Sequence, residues 1–255
     1  MSFVRATFAV AILLTLACGS APAPLRIAAA ADLRSALGEL VQAFRQRHGG
    51  IAVEEAYGSS GMFYAQLVNR APFDVFLSAD VQYPRKLAEQ GLILPGSEFS
   101  YGEGRIVLWT ANASGIDIGR LGIQALREPA VRHIAIANPV HAPYGRAAAA
   151  ALRSLGIYDA VKEKLVMGEN VSQTFQMAQS GAAEVGIVAL SLALAPGAAS
   201  QGHYWEVPRE AYPRIQQGGA ILKWTRQAQA AQAFRAFLLS PQGRAILKRY
   251  GFSGD

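Results

Sequence analysis

From Leu25 onward the chain alternates short apolar runs with stretches in which apolar residues return every three or four positions, the pattern of strands feeding helices. Residues 25–30 read as a strand. Leu33, Ala36, Leu37, Leu40, Val41 and Phe44 then share one helical face that runs out at His48-Gly49-Gly50, with Asp32 at the N-cap. Residues 51–56 predict a second strand, Gly58-Ser59-Ser60-Gly61 a tight turn, 62–69 a short helix and 74–77 a buried strand. Ser78-Ala79-Asp80 opens a helix carrying Tyr83, Leu87 and Leu92. Further along, 105–110, 133–137 and 185–190 read as strands, 146–155 and 171–180 as helices, and 196–213 as a turn-rich stretch. A last strand at 220–224 precedes two helices. Thr225 caps one; Ser240 caps the other, with Pro241 at its first position and Gly251 just past its end.

Strands and helices in alternation imply a mainly parallel sheet, and the composition is rich enough to bury it. Of 255 residues, 51% are hydrophobic and 16% charged, which excludes a disordered or disulfide-stapled chain. The length allows one large domain or two medium ones. The formal charge is +6, but the basic residues are scattered and never interleave with aromatics in a run, so nucleic acid is not an expected partner.

Residues 1–24 carry Arg5, an apolar stretch over 6–17 and then small residues and prolines, the layout of a secretory signal peptide. The apolar stretch is shorter than the ~20 residues a membrane helix needs. The single cysteine, Cys18, falls here, so the body of the protein has neither an internal disulfide nor a cysteine metal cluster. Leu14-Thr15-Leu16-Ala17-Cys18 also resembles a lipoprotein cleavage site, which makes Cys18 a candidate lipid anchor and leaves the mature start open between Cys18 and Leu25. Export to the periplasm is expected.

Several strand-to-helix turns place small or hydroxyl residues at a helix start: Ala31-Asp32, Ser59-Ser60, Ala79-Asp80, Ala142-Pro143-Tyr144-Gly145 and Asn170-Val171-Ser172. Each presents unpaired N–H groups and the positive end of a helix dipole, and open α/β sheets bind ligands at the carboxyl ends of their strands. Catalytic alternatives are thin. Gly58-Ser59-Ser60-Gly61 has neither nucleophile-elbow spacing nor the length of a phosphate loop. His48, His133, His141 and His203 show no metal-binding spacing, and Trp109, Trp224, Phe234 and Phe237 have apolar neighbours suited to a core. An exported hydrolase stays open as the alternative class, with Ser59 or Ser60 as nucleophile but no motif that supplies its base.

The motifs Ala-Ala-Ala-Asp-Leu (29–33), Gly-Ser-Ser-Gly (58–61), Asp-Val-Phe-Leu-Ser-Ala-Asp (74–80), Asn-Pro-x-x-Ala-Pro-Tyr-Gly (138–145), Glu-Asn-Val (169–171), Gly-Ile-Val-Ala-Leu (186–190) and Arg-Tyr-Gly-Phe (249–252) occur in that order. Together they resemble the periplasmic molybdate-binding proteins of bacterial ABC importers. The resemblance implies an α/β, two-lobe periplasmic-binding-protein fold of type II, each lobe a mainly parallel sheet flanked by helices. Lobe I would comprise 25–103 plus 217–255 and lobe II 104–216, with crossings near 101–104 and 216–219. It also implies a binder rather than an enzyme, without cofactor, that captures molybdate or tungstate for a membrane permease. The oxyanion's oxygens, not its metal, would be contacted by Ser60 through hydroxyl and N–H and by the N–H groups of Ala79 and Val171. Tyr144 would supply a phenol in place of the tyrosine that many members carry where this chain has Ala189. Nothing argues for an oligomer, so a monomer is expected.

Asp32 departs from the pattern, since the family usually places a serine there and some members an asparagine. A carboxylate facing a dianion at ~4 Å costs ~4 kcal/mol at an effective dielectric near ~20, more than the ~1.5–3 kcal/mol that a hydrogen bond to a charged group returns. The expectation is therefore that Asp32 turns away and caps its helix, leaving the N–H groups of Ala31 and Asp32 as donors. The alternative is an inward carboxylate that accepts a proton from an oxyanion such as hydrogen phosphate or hydrogen arsenate. A fully ionised oxyanion has only acceptor oxygens, so neutral donors suffice, and cavity size would set molybdate and tungstate apart from smaller sulfate.

Overall fold

The computed structural model describes residues 23–254; the expected signal peptide and the candidate anchor Cys18 lie outside the described residues. In chain order the strands and helices are β1 (Leu25–Ala30), α1 (Arg34–Arg47), β2 (Val53–Gly58), α2 (Ser60–Val68), β3 (Val75–Ser78), α3 (Gln82–Glu89), β4 (Phe99–Gly104), β5 (Ile106–Ala111), α4 (Ile118–Leu121), β6 (Ile134–Ala137) and α5 (Pro143–Ser154). They continue with α6 (Tyr158–Val161), β7 (Leu165–Gly168), α7 (Val171–Gln179), β8 (Val185–Ala189), α8 (Leu190–Ala193), α9 (Ala198–Gln201), β9 (Gly202–Glu206), β10 (Ile215–Ile221), α10 (Ala228–Leu238) and α11 (Pro241–Arg249).

Two five-stranded sheets result, ordered β2-β1-β3-β10-β4 and β7-β6-β8-β5-β9. In each, three parallel strands are followed by an antiparallel one, β10 in the first sheet and β5 in the second. The molecule thus has the α/β two-lobe architecture. Period-two alternation explains why the first sheet is apolar throughout its centre. Ile27 and Ala29 of β1, Val75 and Leu77 of β3 and Ile221 of β10 pack with α1, α10 and α11, while Ala28, Phe76 and Ala220 between them pack with Phe63 and Leu67 of α2 and Leu87 of α3. The second sheet centres on Trp109, Leu108 and Ile136, fully covered.

The chain leaves the first sheet at Arg105, between Gly104 of β4 and Ile106 of β5, and returns between Glu206 and Ile215. The expected crossings lie next to these points, inside the strands that flank them. Residues 101–104 and 216–219 are not linkers but paired strand, with Glu103 opposite Gln216 and Gly104 opposite Ile215. Their glycines permit close packing: a Cβ on Gly219 would lie 2.6 Å from the Phe99 ring and 2.8 Å from the Phe76 carbonyl. Glu103 holds the return path through ion pairs to Arg209 and to Arg214, the latter at 3.0 Å.

Candidate functional site

The carboxyl ends of parallel strands from both sheets meet at a small cavity. Its walls are Ala30, Ala31 and Asp32 after β1, Gly58, Ser59 and Ser60 after β2, Ala79 after β3, Ala142, Pro143 and Tyr144 after β6, and Asn170 and Val171 after β7. All six residues singled out in the sequence, Ala31, Asp32, Ser60, Ala79, Tyr144 and Val171, are therefore brought together.

Local chemistry fixes each of them. Ser59 caps α2, its Oγ accepting the Met62 amide at 3.4 Å, so Ser60 stands first in the helix with no intrahelical acceptor for its own N–H. The Ser60 hydroxyl accepts the Ala79 amide at 2.9 Å, which leaves its proton to donate elsewhere. Ala79 thus reaches the cavity through Ser60 and not, as expected, as an independent donor. Asn170 Oδ1 accepts the Ser172 and Gln173 amides, each at 3.0 Å, and Val171 becomes the first residue of α7. α5 starts directly on the end of β6 because residue 145 is glycine: a Cβ there would lie 2.0 Å from the Ala137 carbonyl oxygen. Tyr144 is held in the wall by that start.

Asp32 overturns the capping expectation. A 3-10 turn over Ala31–Leu33 precedes α1, and neither it nor α1 has a side-chain cap. The carboxylate, 1% exposed, instead accepts at Oδ2 from the Tyr144 hydroxyl at 2.9 Å and from Gln217 Nε2 at 2.9 Å. Its Oδ1 is buried and has no hydrogen-bond partner. Burial lifts the Asp32 carboxyl to about 6, an effect offset only in part by the hydrogen bonds from Tyr144 and Gln217 and by the dipoles of the nearby Asp32 and Leu33 amides, which make no hydrogen bond to Oδ1. Burial, followed by the charge of Asp32, raises the Tyr144 phenol well above its ordinary value, so Tyr144 stays protonated and donates. Its proton goes to Asp32, where the sequence reading had assigned it to the ligand.

Gln217 was not visible as a site residue. It is fully buried on β10, accepts from the Tyr101 hydroxyl at 3.0 Å and also reaches the Tyr144 oxygen at 3.3 Å. Gly104 makes the room: a Cβ there would meet the Tyr144 hydroxyl at 2.1 Å.

Around the cavity the two halves touch through polar contacts that no motif announced. Arg146 on α5 pairs with Asp80 at 2.6 Å and donates to the Tyr83 hydroxyl at 3.3 Å. The His141 carbonyl accepts the Gly61 amide at 3.0 Å, and the Ser191 hydroxyl donates to the Asp32 carbonyl at 2.7 Å. His141 Nδ1 also lies 2.8 Å from Ser59 Oγ, with Glu169 3.5 Å from Nε2. These are the residue types of a nucleophile, base and carboxylate; Ser59 Oγ accepts the Met62 amide as the cap of α2 and also contacts the imidazole, so the contact ties the halves together. Among the described residues no group of His, Cys, Asp and Glu could hold a metal ion. A larger open groove, lined by Arg209, Arg214 and Lys248, lies beside β4 and gathers none of the five strand-to-helix turns singled out in the sequence.

Comparison with known proteins agrees with this fold. The family model described as bacterial extracellular solute-binding protein matches residues 25–253. The molybdate-binding protein of Rhodobacter capsulatus is 37% identical over 244 residues, 96% of this chain and 94% of that protein. The molybdate-binding protein of Azotobacter vinelandii is 38% identical over 237 residues, 93% and 92% of the two chains. The solved Azotobacter vinelandii periplasmic molybdate-binding protein superposes with a TM-score of 0.84 over 91% of this chain and 99% of that one. A sulfate-binding protein of Mycobacterium tuberculosis, 17% identical with a TM-score of 0.71 over 90% of this chain and 86% of that one, shares the fold alone.

Proposed function

This chain belongs to the bacterial extracellular solute-binding protein family, a family of binders rather than enzymes, and on that premise we propose that it captures molybdate, and with it tungstate, in the cavity between its sheets and delivers it in the periplasm to the permease of an ABC importer. The observation that carries the reading is the convergence of helix starts from both sheets on one cavity, where neutral hydroxyl and amide donors outnumber the single carboxylate of Asp32, in a chain 37–38% identical to two molybdate-binding proteins. A tetrahedral dianion offers only acceptor oxygens. The Ser60 hydroxyl and the amides of Ser60, Val171 and the 31–32 turn supply donors without a counter-charge, and helix starts favour the anion. The two sheets with their helices act as lobes. The Arg146–Asp80 and His141–Gly61 contacts would complete only in the closed form, giving the permease one recognisable surface. The protein acts as a monomer and does no covalent chemistry.

Equilibrium dialysis against molybdate in excess sulfate, with bound molybdenum counted by mass spectrometry, tests the reading. One molybdenum per chain, displaced by tungstate and not by sulfate or phosphate, is expected. Retention of phosphate instead would replace the ligand.

A further inference from the structure

The proposed oxyanion site contains a group that does not suit a dianion, and the way it is wired indicates how the conflict is resolved. Asp32 lines the cavity, is 1% exposed, and has the two oxygens of its carboxylate in unlike surroundings. Oδ2 is saturated by the Tyr144 hydroxyl and Gln217 Nε2, both at 2.9 Å. Oδ1 is buried with no partner. An unpaired buried carboxylate oxygen is costly, and beside a bound dianion it would also repel. A proton on Oδ1 removes both faults, because it neutralises the group and turns the orphan acceptor into a donor.

Resting on the molybdate reading above, we propose that Asp32 enters the complex as a neutral carboxylic acid whose Oδ1–H donates to an oxygen of the bound oxyanion, so that each dianion captured above neutral pH takes up one proton from solvent. The balance is one carboxylate, one solvent proton and one dianion giving one neutral acid hydrogen-bonded to one dianion. No covalent bond to the oxyanion forms. Tyr144 and Gln217 are positioning residues here: they fill Oδ2 and direct the proton to Oδ1. The titratable side chains around Asp32 and its Tyr144 partner are phenols, and the imidazole of His141 stands beside the cavity wall, 2.8 Å from Ser59 Oγ. Tyr144 on α5 and Tyr101 on β4 are buried phenols raised well above their ordinary values, and Tyr212, after the turn over Arg209–Ala211, is raised as well. α8, which carries no titratable side chain, donates to this turn from the Ser191 hydroxyl, on the Asp32 carbonyl. Among the described residues no arginine or lysine pairs with the Asp32 carboxylate.

The sign follows from linkage. With the free carboxyl at about 6, molybdate affinity is constant below that pH and falls about tenfold per pH unit above it, as long as the complex stays protonated. The test is calorimetric titration of the purified protein with sodium molybdate at pH 7.5 in two buffers of different ionisation enthalpy, repeated at pH 5 and 8.5. Expected are close to one proton taken up per molybdate at pH 7.5 and none at pH 5. Asp32→Asn, which places an N–H in the same position, should take up none at any pH and bind with a pH-independent Kd. Tight binding by the unaltered protein with no proton exchanged at pH 7.5 would overturn the proposal while leaving the ligand reading intact, whether or not the variant folds. Phosphate bound more tightly than molybdate would mean the proton arrives on the ligand and would also overturn it. No molybdate or tungstate binding at any pH would sink the ligand reading and the proposal with it.

Discussion

Asp32 is the residue on which sequence and structure part most clearly. An aspartate before an apolar periodic run reads as a helix cap because short polar side chains accept the free amides there. That local rule was overridden by two residues far along the chain, Tyr144 and Gln217, which offer the carboxylate better donors. The burial has a cost. A carboxyl at about 6 in the folded chain and in the ordinary range near 4 when unfolded holds its proton more tightly when folded, so it favours the fold at low pH and loses that advantage as pH rises through about 6. About two pH units correspond to roughly 3 kcal/mol. Asp32→Asn should therefore raise the Tm of the ligand-free protein at pH 8 more than at pH 4, as scanning calorimetry at the two pH values would reveal. An equal change at both would mean that the group titrates normally. Ser60 was legible, since a Gly-Ser-Ser-Gly turn after a strand advertises exposed donors. Its hydroxyl keeps a proton free only because Ala79 donates to it. Removing it in Ser60→Ala forfeits a hydrogen bond to a charged ligand worth ~1.5–3 kcal/mol, and molybdate Kd should rise about ten- to hundredfold in calorimetry.

Among the secondary elements, central strands were legible and most edge strands were not. β1, β3, β6 and β8 sit inside their sheets and are mostly or wholly apolar, with Arg26 at the start of β1 and Ser78 at the end of β3 as the polar positions. β4, β7 and β9 are edges. β9 runs Gly-His-Tyr-Trp-Glu and β4 Phe-Ser-Tyr-Gly-Glu-Gly, with exposed or half-exposed positions that lack apolar continuity, so the first was absorbed into a turn-rich stretch and the second was not read as a strand. β10 was cut short to 220–224, since its first half carries two glutamines and two glycines, and the glycines are there because neighbouring side chains leave no room for Cβ. Gly145 is the same logic at the site itself. Gly145→Ala would push a methyl group to 2.0 Å from the Ala137 carbonyl oxygen and displace the start of α5 and Tyr144 with it. Overpacking of that kind costs about 1–3 kcal/mol, and a lowered denaturation midpoint together with weakened ligand binding is expected; an unchanged midpoint would show that α5 can shift freely.

For the whole molecule, function depends on what no single segment carries: two sheets whose strand ends face one another and side chains that reach across. Periodicity gave the parallel sheets, and ordered motifs gave the two lobes, but the contacts between halves join residues whose partners lie far away in sequence, as with Arg146 and Asp80, and no local pattern encodes them. That pair is partly exposed, so its contribution is of the order of 1 kcal/mol and screened by salt. Arg146→Ala should speed molybdate release about fivefold in stopped-flow measurements at low ionic strength, with the difference shrinking at high salt. A difference that persisted at high salt would locate the effect in the stacking of Arg146 on the Tyr83 ring rather than in the ion pair.

The central claim is that one tetrahedral oxyanion sits between the sheets, and crystals of the protein grown with molybdate, with diffraction collected on both sides of the molybdenum absorption edge, test it most directly. A single anomalous peak in the cavity walled by Asp32, Ser60, Ala79, Tyr144 and Val171 is expected. A peak in the basic groove beside β4, lined by Arg209, Arg214 and Lys248, or no ordered molybdenum in crystals whose protein has that cavity intact, would contradict it.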